Sequence, residues 1–396
     1  MTMTRALDGV RVLDVTQVMA GPFCAMLLCD MGADVIKVEP PGGDSTRRMP
    51  GAVGTDSPSF NAVNRGKRAV VLDLTHAEGR DAARRLALAS DVLVENYRPG
   101  VMAKFGLGYE ELSQEHPRLV YASISGYGQT GPAAGKGGFD LVAQGVSGLM
   151  SITGEPGRPP VKVGIPITDL GAGLFAVTGI LSALLARART GRGQRVDTSL
   201  VDAGVALSVW EATQYFSGRG VPEPLGSAHR MNAPYEAIRC ADGYVTIGAA
   251  NDRTFQRLCD ALEHPEWATD ADYADNARRV THRAALAARI EEVMARHPRD
   301  HWLALLERHG VPSGPINTYA DVMADPHVLA RELVVDTEHP TLGRIKTLGT
   351  PVKLSDTPLI PGRPAPLLGQ HTDEVLGGVG FSAEEIASMR ERGTVA

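Results

Sequence analysis

The chain has 396 residues, of which 43% are hydrophobic and 22% are charged, and its formal net charge is -6. Such a chain can bury a large core and is long enough for two domains or one elaborated domain. The acidic balance argues against a nucleic-acid partner, because proteins that bind polyanions usually carry clustered Lys and Arg.

The four cysteines suggest neither a metal site nor a disulfide framework. Cys24, Cys29, Cys240 and Cys259 form no CxxC pair and have no histidine at zinc-ligand spacing. A reducing cytoplasm fits this pattern. The N-terminal stretch MTMTRALDGV also lacks the apolar core of a signal peptide.

Short β-branched runs alternate with helical stretches through the first half of the chain. The pattern predicts helices over 21–31 and 76–89, and strands over 11–16, 34–39, 70–74, 91–95 and 119–124. This alternation is typical of βαβ units, so it predicts an α/β unit with a parallel sheet and helices on both faces. A strand over 195–199 and a helix into Tyr215 continue the unit.

The apolar segment Leu170 to Ala186, LGAGLFAVTGILSALLA, has two interpretations. It is just short of the usual membrane span and is the one segment of its kind, so a buried helix packed through small residues is favoured over a membrane span. The sequence RTGRGQ that follows ends the helix, because its glycines stop the apolar pattern.

A second unit begins after SGRGVPEPL (217–225), whose Gly and Pro residues mark a linker. A hairpin is predicted from strands over 235–240 and 244–248, followed by helices around 252–263, 281–297 and 299–309. This smaller unit is therefore mixed α+β. The chain ends with strand-like pieces at 332–337 and 343–347, a Pro-rich return at 357–369 and a helix near 382–392.

Several catalytic motifs do not occur. The first strand-to-helix turn, TQVMAGP (16–22), has one glycine where a dinucleotide fingerprint needs three, which argues against a nicotinamide enzyme although Glu39 ends the second strand. The sequence has no Walker loop, no GxSxG and no HExxH. His371 is the most motif-like histidine, and a contact at a helix start is its favoured interpretation.

Asp169 stands at the entry to the apolar helix. Free N–H groups and the helix dipole there favour an ionised carboxylate that is placed for attack. Spacing alone favours the simpler interpretation, a first-turn residue that supports the helix start. The segment VENYRPG (94–100) and a group of basic residues are compatible with a phosphate-bearing ligand or with solvated surface charge; these residues are Arg65, Lys67, Arg68, Arg98 and Lys104.

Nine sequence blocks occur in a familiar order. They are AGP (20–22), MGADVIKVEPPGGD (31–44), NRGKRAVVLDL (64–74), VENYRPG (94–100), SISGYGQTGP (123–132), FDLVAQGVSGLM (139–150), TDLGAG (168–173), TGRGQRVD (190–197) and LLGQHTDEVL (367–376). Together they resemble the class III coenzyme A transferases, the family of formyl-CoA transferase and the carnitine CoA-transferases, along nearly the whole chain. The resemblance implies a homodimer of interlocked subunits, each with a Rossmann-like large domain over 1–215 and 335–396 and a small domain over 225–330.

The resemblance also implies which residues act. The acid of the TDLGAG block, Asp169, becomes a nucleophile that carries CoA as an aspartyl thioester, which reverses the preference drawn from spacing. Asp140 matches an acid that lines the reacting centre. By similarity, CoA lies near Met19, Ala20, Leu72, Asp73, Leu74, Asn96, Tyr97, Arg98, Lys104, Gly137, Gly138 and Phe139.

The implied reaction moves CoA from an acyl-CoA, with succinyl-CoA favoured, to a small carboxylic acid such as glutarate or mesaconate. CoA is then a substrate, and no permanently bound cofactor, metal, nucleic acid or membrane is expected. Two alternatives stay open. A 2-methylacyl-CoA racemase moves a proton with a His, but this chain has GlyPheAsp at 138–140, which favours the transferase. A non-catalytic relative would bind acyl-CoA without forming an adduct on Asp169.

Overall fold

The computed structural model describes residues 5–359, 361 and 363–396. Its strands are β1 Arg11–Asp14, β2 Asp34–Glu39, β3 Arg68–Val71, β4 Val92–Glu95, β5 Val120–Ser125, β6 Arg195–Ser199, β7 Tyr235–Cys240, β8 Gly243–Gly248, β9 Ser313–Pro315, β10 Val334–His339 and β11 Gly343–Leu348. Its α-helices are α1 Ala20–Asp30, α2 Pro58–Asn64, α3 Ala77–Leu88, α4 Val101–Lys104, α5 Tyr109–Glu115, α6 Asp140–Val146, α7 Leu149–Ile152, α8 Ile167–Thr190, α9 Leu200–Leu207, α10 Val209–Phe216, α11 Asp252–Ala261, α12 Asn276–Thr281, α13 Arg283–Met294, α14 Arg299–Arg308, α15 Tyr319–Ala324, α16 Pro326–Ala330, α17 Thr372–Gly377 and α18 Ala383–Glu391. Short 3₁₀ helices lie at Ser45–Arg48 and Pro265–Thr269.

A parallel six-stranded sheet organises the N-terminal part of the chain, with strand order β3-β2-β1-β4-β5-β6. Every adjacent pair in it is parallel. On one side of β1 lie β2 and then β3, and on the far side of β4 lie β5 and then β6. The carboxyl ends of the neighbouring strands β1 and β4 therefore form a topological switch point. Open α/β sheets bind their ligands in the crevice at such a point. The predicted α/β fold with a parallel sheet is confirmed.

Helices cover both faces of this sheet because successive strand side chains point to opposite sides. Val12 and Val94 belong to a buried cluster with residues of α1 and α8. Leu13 and Leu93, one position along each strand, belong to a second cluster with residues of α3, α17 and α18. The sheet is therefore buried on both sides, as its nearly continuous apolar strands require.

Helix α8 is the apolar segment for which a buried helix was favoured over a membrane span. Among the described residues it is the one helix long and apolar enough to cross a membrane, and 39% of its most apolar window is buried. It packs on α1, α9, β5 and β6. A Cβ on Gly173 would lie 2.8 Å from the carbonyl oxygen of Ala20, so the small residue permits the close approach to α1. Its opposite face leaves Leu174, Phe175 and Leu185 exposed.

The chain divides into two compact units. The first contains the residues up to Leu149 together with Val163–Ser208 and Pro326–Ala396, and the second contains Met150–Lys162 and Val209–Asp325. The sequence-based boundaries, 1–215 with 335–396 and 225–330, stay a prediction. The two divisions differ mainly at 150–162 and 209–215, which sequence assigned to the large domain.

The second unit has its own sheet and core. Strands β7, β8 and β9 form an antiparallel sheet. The hairpin of β7 and β8 occurs where AlaAspGly predicted it, whereas the three-residue strand β9 carried no recognisable pattern. The guanidinium of Arg279, fully buried in this unit, donates to the carbonyl oxygens of Ala233 and Tyr273 and forms an ion pair with Asp252.

Several element ends differ from the sequence-based expectation for local reasons. Strand β1 ends at Asp14, because the Asp14 carboxylate accepts hydrogen bonds from the N–H and hydroxyl of Thr16 and turns the chain. The helix expected to run into Tyr215 is two helices, α9 and α10. The Pro-rich return at 357–369 includes positions 360 and 362, which lie outside the described residues.

Substitutions at two glycines would test how closely the first unit is packed. A Cβ on Gly79, in the first turn of α3, would collide with the carbonyl oxygen of Asp73, whereas Gly377 in α17 has open space around it. We expect Gly79→Ala to lower the free energy of unfolding by about 1–3 kcal/mol despite the better helix propensity of Ala. Gly377→Ala should be neutral or stabilising by up to about 1 kcal/mol. Chemical denaturation of both variants tests this, and equal effects would contradict it.

Candidate active site

A cleft of about 210 Å³ opens in the first unit where β1, β4 and β5 end. It therefore lies at the switch point of the sheet. Residues from six separate segments line it: Gln17, Val18, Met19, Ala20, Asn96, Tyr97, Ile124, Ser125, Gly126, Gly138, Phe139, Asp169 and Leu200.

Asp169 reaches this cleft from the first turn of α8. Burial and the nearby negative charge of Asp140 raise the pKa of Asp169 to about 6. This direction is opposite to the effect expected from the helix dipole, which favours the ionised form. The sequence-based expectation of a dipole-stabilised carboxylate therefore needs a correction: burial and a like charge outweigh the dipole. Above about pH 6 the group is ionised.

Asp140 holds the start of α8. Its Oδ1 accepts hydrogen bonds from the N–H of Thr168 at 3.0 Å and from the hydroxyl of Thr168 at 2.7 Å. Pro166, the residue before the helix, offers no side-chain cap, so Asp140 supplies the cap from α6. Nε2 of Gln144 donates to the other carboxylate oxygen at 2.7 Å. Asp140 thus contacts the residue next to Asp169 and is not part of the cleft lining.

The turn after β1, residues Thr16–Met19, forms one wall of the cleft. Asn96, at the end of β4, fixes it by two backbone hydrogen bonds: Oδ1 accepts from the N–H of Gln17 at 2.8 Å, and Nδ2 donates to the carbonyl of Gln17 at 2.7 Å. The side chain of Gln17 donates to the hydroxyl of Tyr97 at 2.8 Å. The polar groups after two neighbouring strands are therefore connected across the switch point.

Val18, the exposed residue of this turn, has a strained backbone. Its φ of +67° lies in the left-handed region, which a β-branched residue rarely adopts. Such a conformation costs about 1–3 kcal/mol and persists only where its surroundings hold it. The N–H of Val18 donates to the buried carboxylate of Asp44 at 3.2 Å.

Two glycines allow another wall of the cleft to form. The backbones of Gly126 and Gly138 cross so closely that a Cβ on Gly138 would lie 2.6 Å from the Cα of Gly126. Any larger residue at either position would push the loops apart. This crossing places Phe139, which is 78% exposed, beside the cleft.

The structure brings together part of the predicted CoA-binding set. Six of those positions line the cleft with Asp169: Met19, Ala20, Asn96, Tyr97, Gly138 and Phe139. Outside it, Leu72 is buried in the core and Leu74 packs against it. The Asp73 carboxylate accepts hydrogen bonds from Thr75.

The remaining predicted positions lie on loops and a short helix. Arg98 is exposed, and its guanidinium lies against Gly137. Lys104 is exposed in the last turn of α4.

The five basic residues singled out in the sequence do not share one environment. Arg65 and Lys67 are buried, where Arg65 pairs with Asp30 and Lys67 pairs with Asp14. Arg68 pairs with Asp34 and Glu374.

Neither earlier interpretation, a phosphate site or solvated surface charge, fits the two buried residues, Arg65 and Lys67. Arg98 and Lys104 stay available to a ligand.

Sequence reasoning missed Gln17, Val18 and Ser125 as cleft residues. The switch-point rule could have found them, because Gln17 and Val18 follow β1 and Ser125 is the last residue of β5, next to β4. His371 does stand at the start of α17, but its side chain does not cap that helix: its Nδ1 accepts a hydrogen bond from the N–H of Ala69 in β3. Within the described part of the chain no cluster of His, Cys, Asp or Glu could hold a metal ion.

Comparison with known proteins identifies the family of the chain. The chain matches the model of the family described as CoA-transferase family III over residues 7–372. It is 42% identical to succinyl-CoA:glutarate CoA-transferase of Homo sapiens, over 95% of this chain and 86% of that protein. It is also 42% identical to succinyl-CoA:mesaconate CoA-transferase of Haloarcula hispanica, over 97% of this chain and 99% of that protein.

A solved structure shares the whole fold. The crystal structure of a CaiB/BaiF family protein from Brucella suis superposes with a TM-score of 0.84 at 41% identity, covering 95% of this chain and 99% of that one. The chain therefore belongs to CoA-transferase family III, and the predicted CoA-transferase activity is confirmed.

The raised pKa of Asp169 makes a prediction for stability. Between about pH 4 and pH 6 the folded state binds more protons at this group than the unfolded state, so its charge destabilises the fold as pH rises through that range. We expect Asp169→Asn to raise the free energy of unfolding by about 1–3 kcal/mol at pH 8 and to give no gain near pH 4.

Asp202 provides the matched control. It holds the same position in the first turn of α9, but its side chain is exposed. Asp202→Asn should be neutral or slightly destabilising at both pH values, because an exposed first-turn carboxylate favours the helix. Denaturant titrations of the three proteins at pH 4 and pH 8 measure the difference. A gain for Asp169→Asn that does not depend on pH would contradict the assigned pKa.

Proposed function

We propose that the chain transfers CoA from succinyl-CoA to a dicarboxylic acid such as glutarate or mesaconate, by way of an aspartyl-CoA thioester on Asp169. The observation that carries this proposal is the position of Asp169, the one carboxylate among the described residues that line the switch-point cleft. The names of the human and Haloarcula hispanica relatives support the substrates, since both proteins use succinyl-CoA with a dicarboxylate.

The chemistry needs no proton transfer. A carboxylate oxygen of Asp169 attacks the thioester carbonyl, the C–S bond breaks, and CoA leaves as a thiolate with a mixed anhydride on Asp169. The thiolate attacks the aspartyl carbon, which releases succinate and forms the aspartyl-CoA thioester. The acceptor carboxylate displaces the thiolate, and the thiolate then attacks the acceptor carbonyl of the second anhydride. The products are the new acyl-CoA and a free Asp169 carboxylate.

Each step places negative charge on an oxygen beside Asp169. The first turn of α1 follows directly from the cleft wall, and its first N–H groups have no partner inside the helix. Backbone donors of this kind stabilise an oxyanion without reorganisation during the reaction. We assign this role to the Met19–Ala20 segment, which lines the same cleft. Asp140 holds the start of α8, so we assign it the orientation of Asp169.

Cleft composition favours the transferase over the racemase. A racemase moves a proton at Cα and needs a second acid–base group, usually His, beside the carboxylate. In the sequence, Phe139 stands where the racemases carry this His, and its aromatic ring cannot transfer a proton. Among the described lining residues none is a histidine.

CoA itself is bound as a substrate in this proposal, with no resident cofactor. Arg98 and Lys104 are the exposed cations among the predicted CoA positions, and we assign them to the phosphate groups. The turn at Leu72–Leu74 remains the predicted position of the adenine end. The four free, buried cysteines are consistent with a reducing cytoplasm, which we propose as the location.

An exposed apolar surface supports the predicted homodimer. Helices α6, α8 and α9 contact one another in the first unit. They expose Leu141, Val142, Val146, Leu174, Phe175, Leu185, Val205 and Leu207. Exposed apolar side chains that are concentrated on neighbouring helices often mark an interface. We propose a second copy of the chain as its partner, because an isologous dimer is the commonest assembly of soluble proteins.

The covalent step predicts a trappable intermediate. Incubation with succinyl-CoA followed by hydroxylamine should convert Asp169 into a hydroxamate, because the aspartyl thioester is an activated acyl group. Intact mass and peptide mapping detect this product. Asp169→Asn should give none.

Asp140→Asn distinguishes the two acids of the site. This variant should still be modified on Asp169, but more slowly, since the start of α8 is less well fixed. Modification mapped to Asp140, or a wild-type enzyme that turns over without any trapped acyl group, would exclude the proposed nucleophile. Exchange of the Cα hydrogen with solvent in place of CoA transfer would indicate the racemase.

The dimer proposal predicts a molecular mass of twice 42.0 kDa in light scattering at micromolar concentration. Phe175→Glu with Leu185→Glu should shift the protein toward 42.0 kDa, because two charges in a packed apolar interface lose their hydration. Val53→Glu, an equally exposed position outside these helices, serves as the control and should leave the mass unchanged. A monomeric wild-type protein would contradict the proposal.

A further inference from the structure

The cleft wall at Thr16–Met19 is held by side chains that contact its backbone. Asn96 binds the N–H and the carbonyl of Gln17. The N–H of Val18 donates to Asp44, and the carbonyl of Thr16 accepts from Nζ of Lys37. Asn96 belongs to the predicted CoA-binding set, whereas Lys37 and Asp44 have no role in the chemistry described above.

Lys37 and Asp44 form one buried unit beneath this wall. Lys37 is fully buried on β2, and its Nζ lies 3.0 Å from the carbonyl oxygen of Thr16 and 3.2 Å from Oδ2 of Asp44. The same Oδ2 accepts the N–H of Val18, while Oδ1 of Asp44 accepts the N–H and the hydroxyl of Thr46. The ion pair therefore binds the backbone of the turn on both sides of Gln17, at the carbonyl of Thr16 and at the N–H of Val18.

The residue that the ion pair holds is the one with the unfavourable backbone. Val18 at a φ of +67° gains from any rearrangement that returns it to negative φ. Such a rearrangement would turn the adjacent peptides and move the Met19–Ala20 segment that lines the cleft with Asp169. A buried pair that holds a strained turn at a reacting centre is a positioning device.

We propose that Lys37 and Asp44 are positioning residues: their ion pair keeps the Thr16–Met19 turn in its strained conformation, so that its backbone donors face the acyl group carried by Asp169. This inference rests on the proposed aspartyl-thioester function. It assigns to two buried charges a specific effect on turnover, beyond their contribution to folding.

The first test is Lys37→Met, which keeps the length of the side chain and removes its charge and donor. We expect kcat for CoA transfer from succinyl-CoA to glutarate to fall by about tenfold to a hundredfold, as for a displacement of about 1 Å at a reacting centre. KM for succinyl-CoA should change less than kcat, because the wall acts on the transition state. Asp44→Asn keeps an acceptor for Val18 and should give a smaller loss of the same kind.

The decisive test is rescue by Val18→Gly. Glycine adopts positive φ without strain, so the turn in Lys37→Met/Val18→Gly no longer needs to be held against its own preference. We expect the double variant to recover a measurable part of the lost kcat, at least about threefold over Lys37→Met. If Lys37→Met does not fold, the same comparison is made between Asp44→Asn and Asp44→Asn/Val18→Gly.

Arg65→Met is the matched control, because Arg65 forms a buried ion pair with Asp30 in the same unit and does not contact the turn. Arg65→Met should lower the free energy of unfolding. Its kcat per folded molecule, with the folded fraction measured by circular dichroism, should equal that of the wild type. Wild-type kcat in Lys37→Met, or equal kcat loss in Arg65→Met, would overturn the positioning role while leaving the function intact. Double variants no more active than their parents would overturn it too. A wild-type enzyme without the hydroxylamine-trapped acyl group would instead overturn the function, and the inference with it.

Discussion

The first unit depends on burying charge beneath the crevice of its sheet. Lys37 and Lys67 are both fully buried, and Asp14 lies between them. Burial acts against every one of these charges, yet the attraction of Asp14 and Asp44 raises the pKa of Lys37, and Lys67 and Lys37 lower the pKa of Asp14. Such groups add little net stability compared with an apolar core, but removing one partner leaves the other uncompensated. What they provide is a fixed position for the loops that leave β1 and β2.

Those loops connect the fold to the chemistry. A parallel sheet with strand order β3-β2-β1-β4-β5-β6 leaves a crevice after β1 and β4, and Asn96 ties the two exits together through the backbone of Gln17. Helix α8 brings Asp169 to the same crevice from a distant part of the sequence. The start of α8 is in turn fixed by Asp140 on α6. Asp169, the proposed nucleophile, and the opposite wall are therefore each held through a second carboxylate, Asp140 for the start of α8 and Asp44 for the turn after β1.

Sequence alone predicted the periodic parts of this arrangement and the acid at the helix start. Alternation of β-branched runs with helical stretches is a local pattern, so the sheet could be predicted from it, and the glycines of RTGRGQ likewise predicted the end of α8. The burial of a charged residue depends on residues far away in the sequence and cannot be predicted from a local pattern. Arg65 and Lys67 could not be told apart from the exposed Lys104 in the sequence, yet they are buried in ion pairs with Asp30 and Asp14. The positive φ of Val18 was also out of reach, because propensity argues against it and only tertiary contacts impose it.

The set of residues that lines the cleft indicates the chemistry of the site better than any one sequence motif does. Exchange of CoA between carboxylates moves acyl groups and a thiolate, with no net proton, so the site has no use for an acid–base pair. It must instead accommodate negative charge and keep water from the activated acyl group. A partly buried carboxylate beside backbone donors, amide groups and an aromatic ring meets these demands. The raised pKa of Asp169 is the electrostatic consequence of placing this carboxylate partly out of water and close to the negative charge of Asp140.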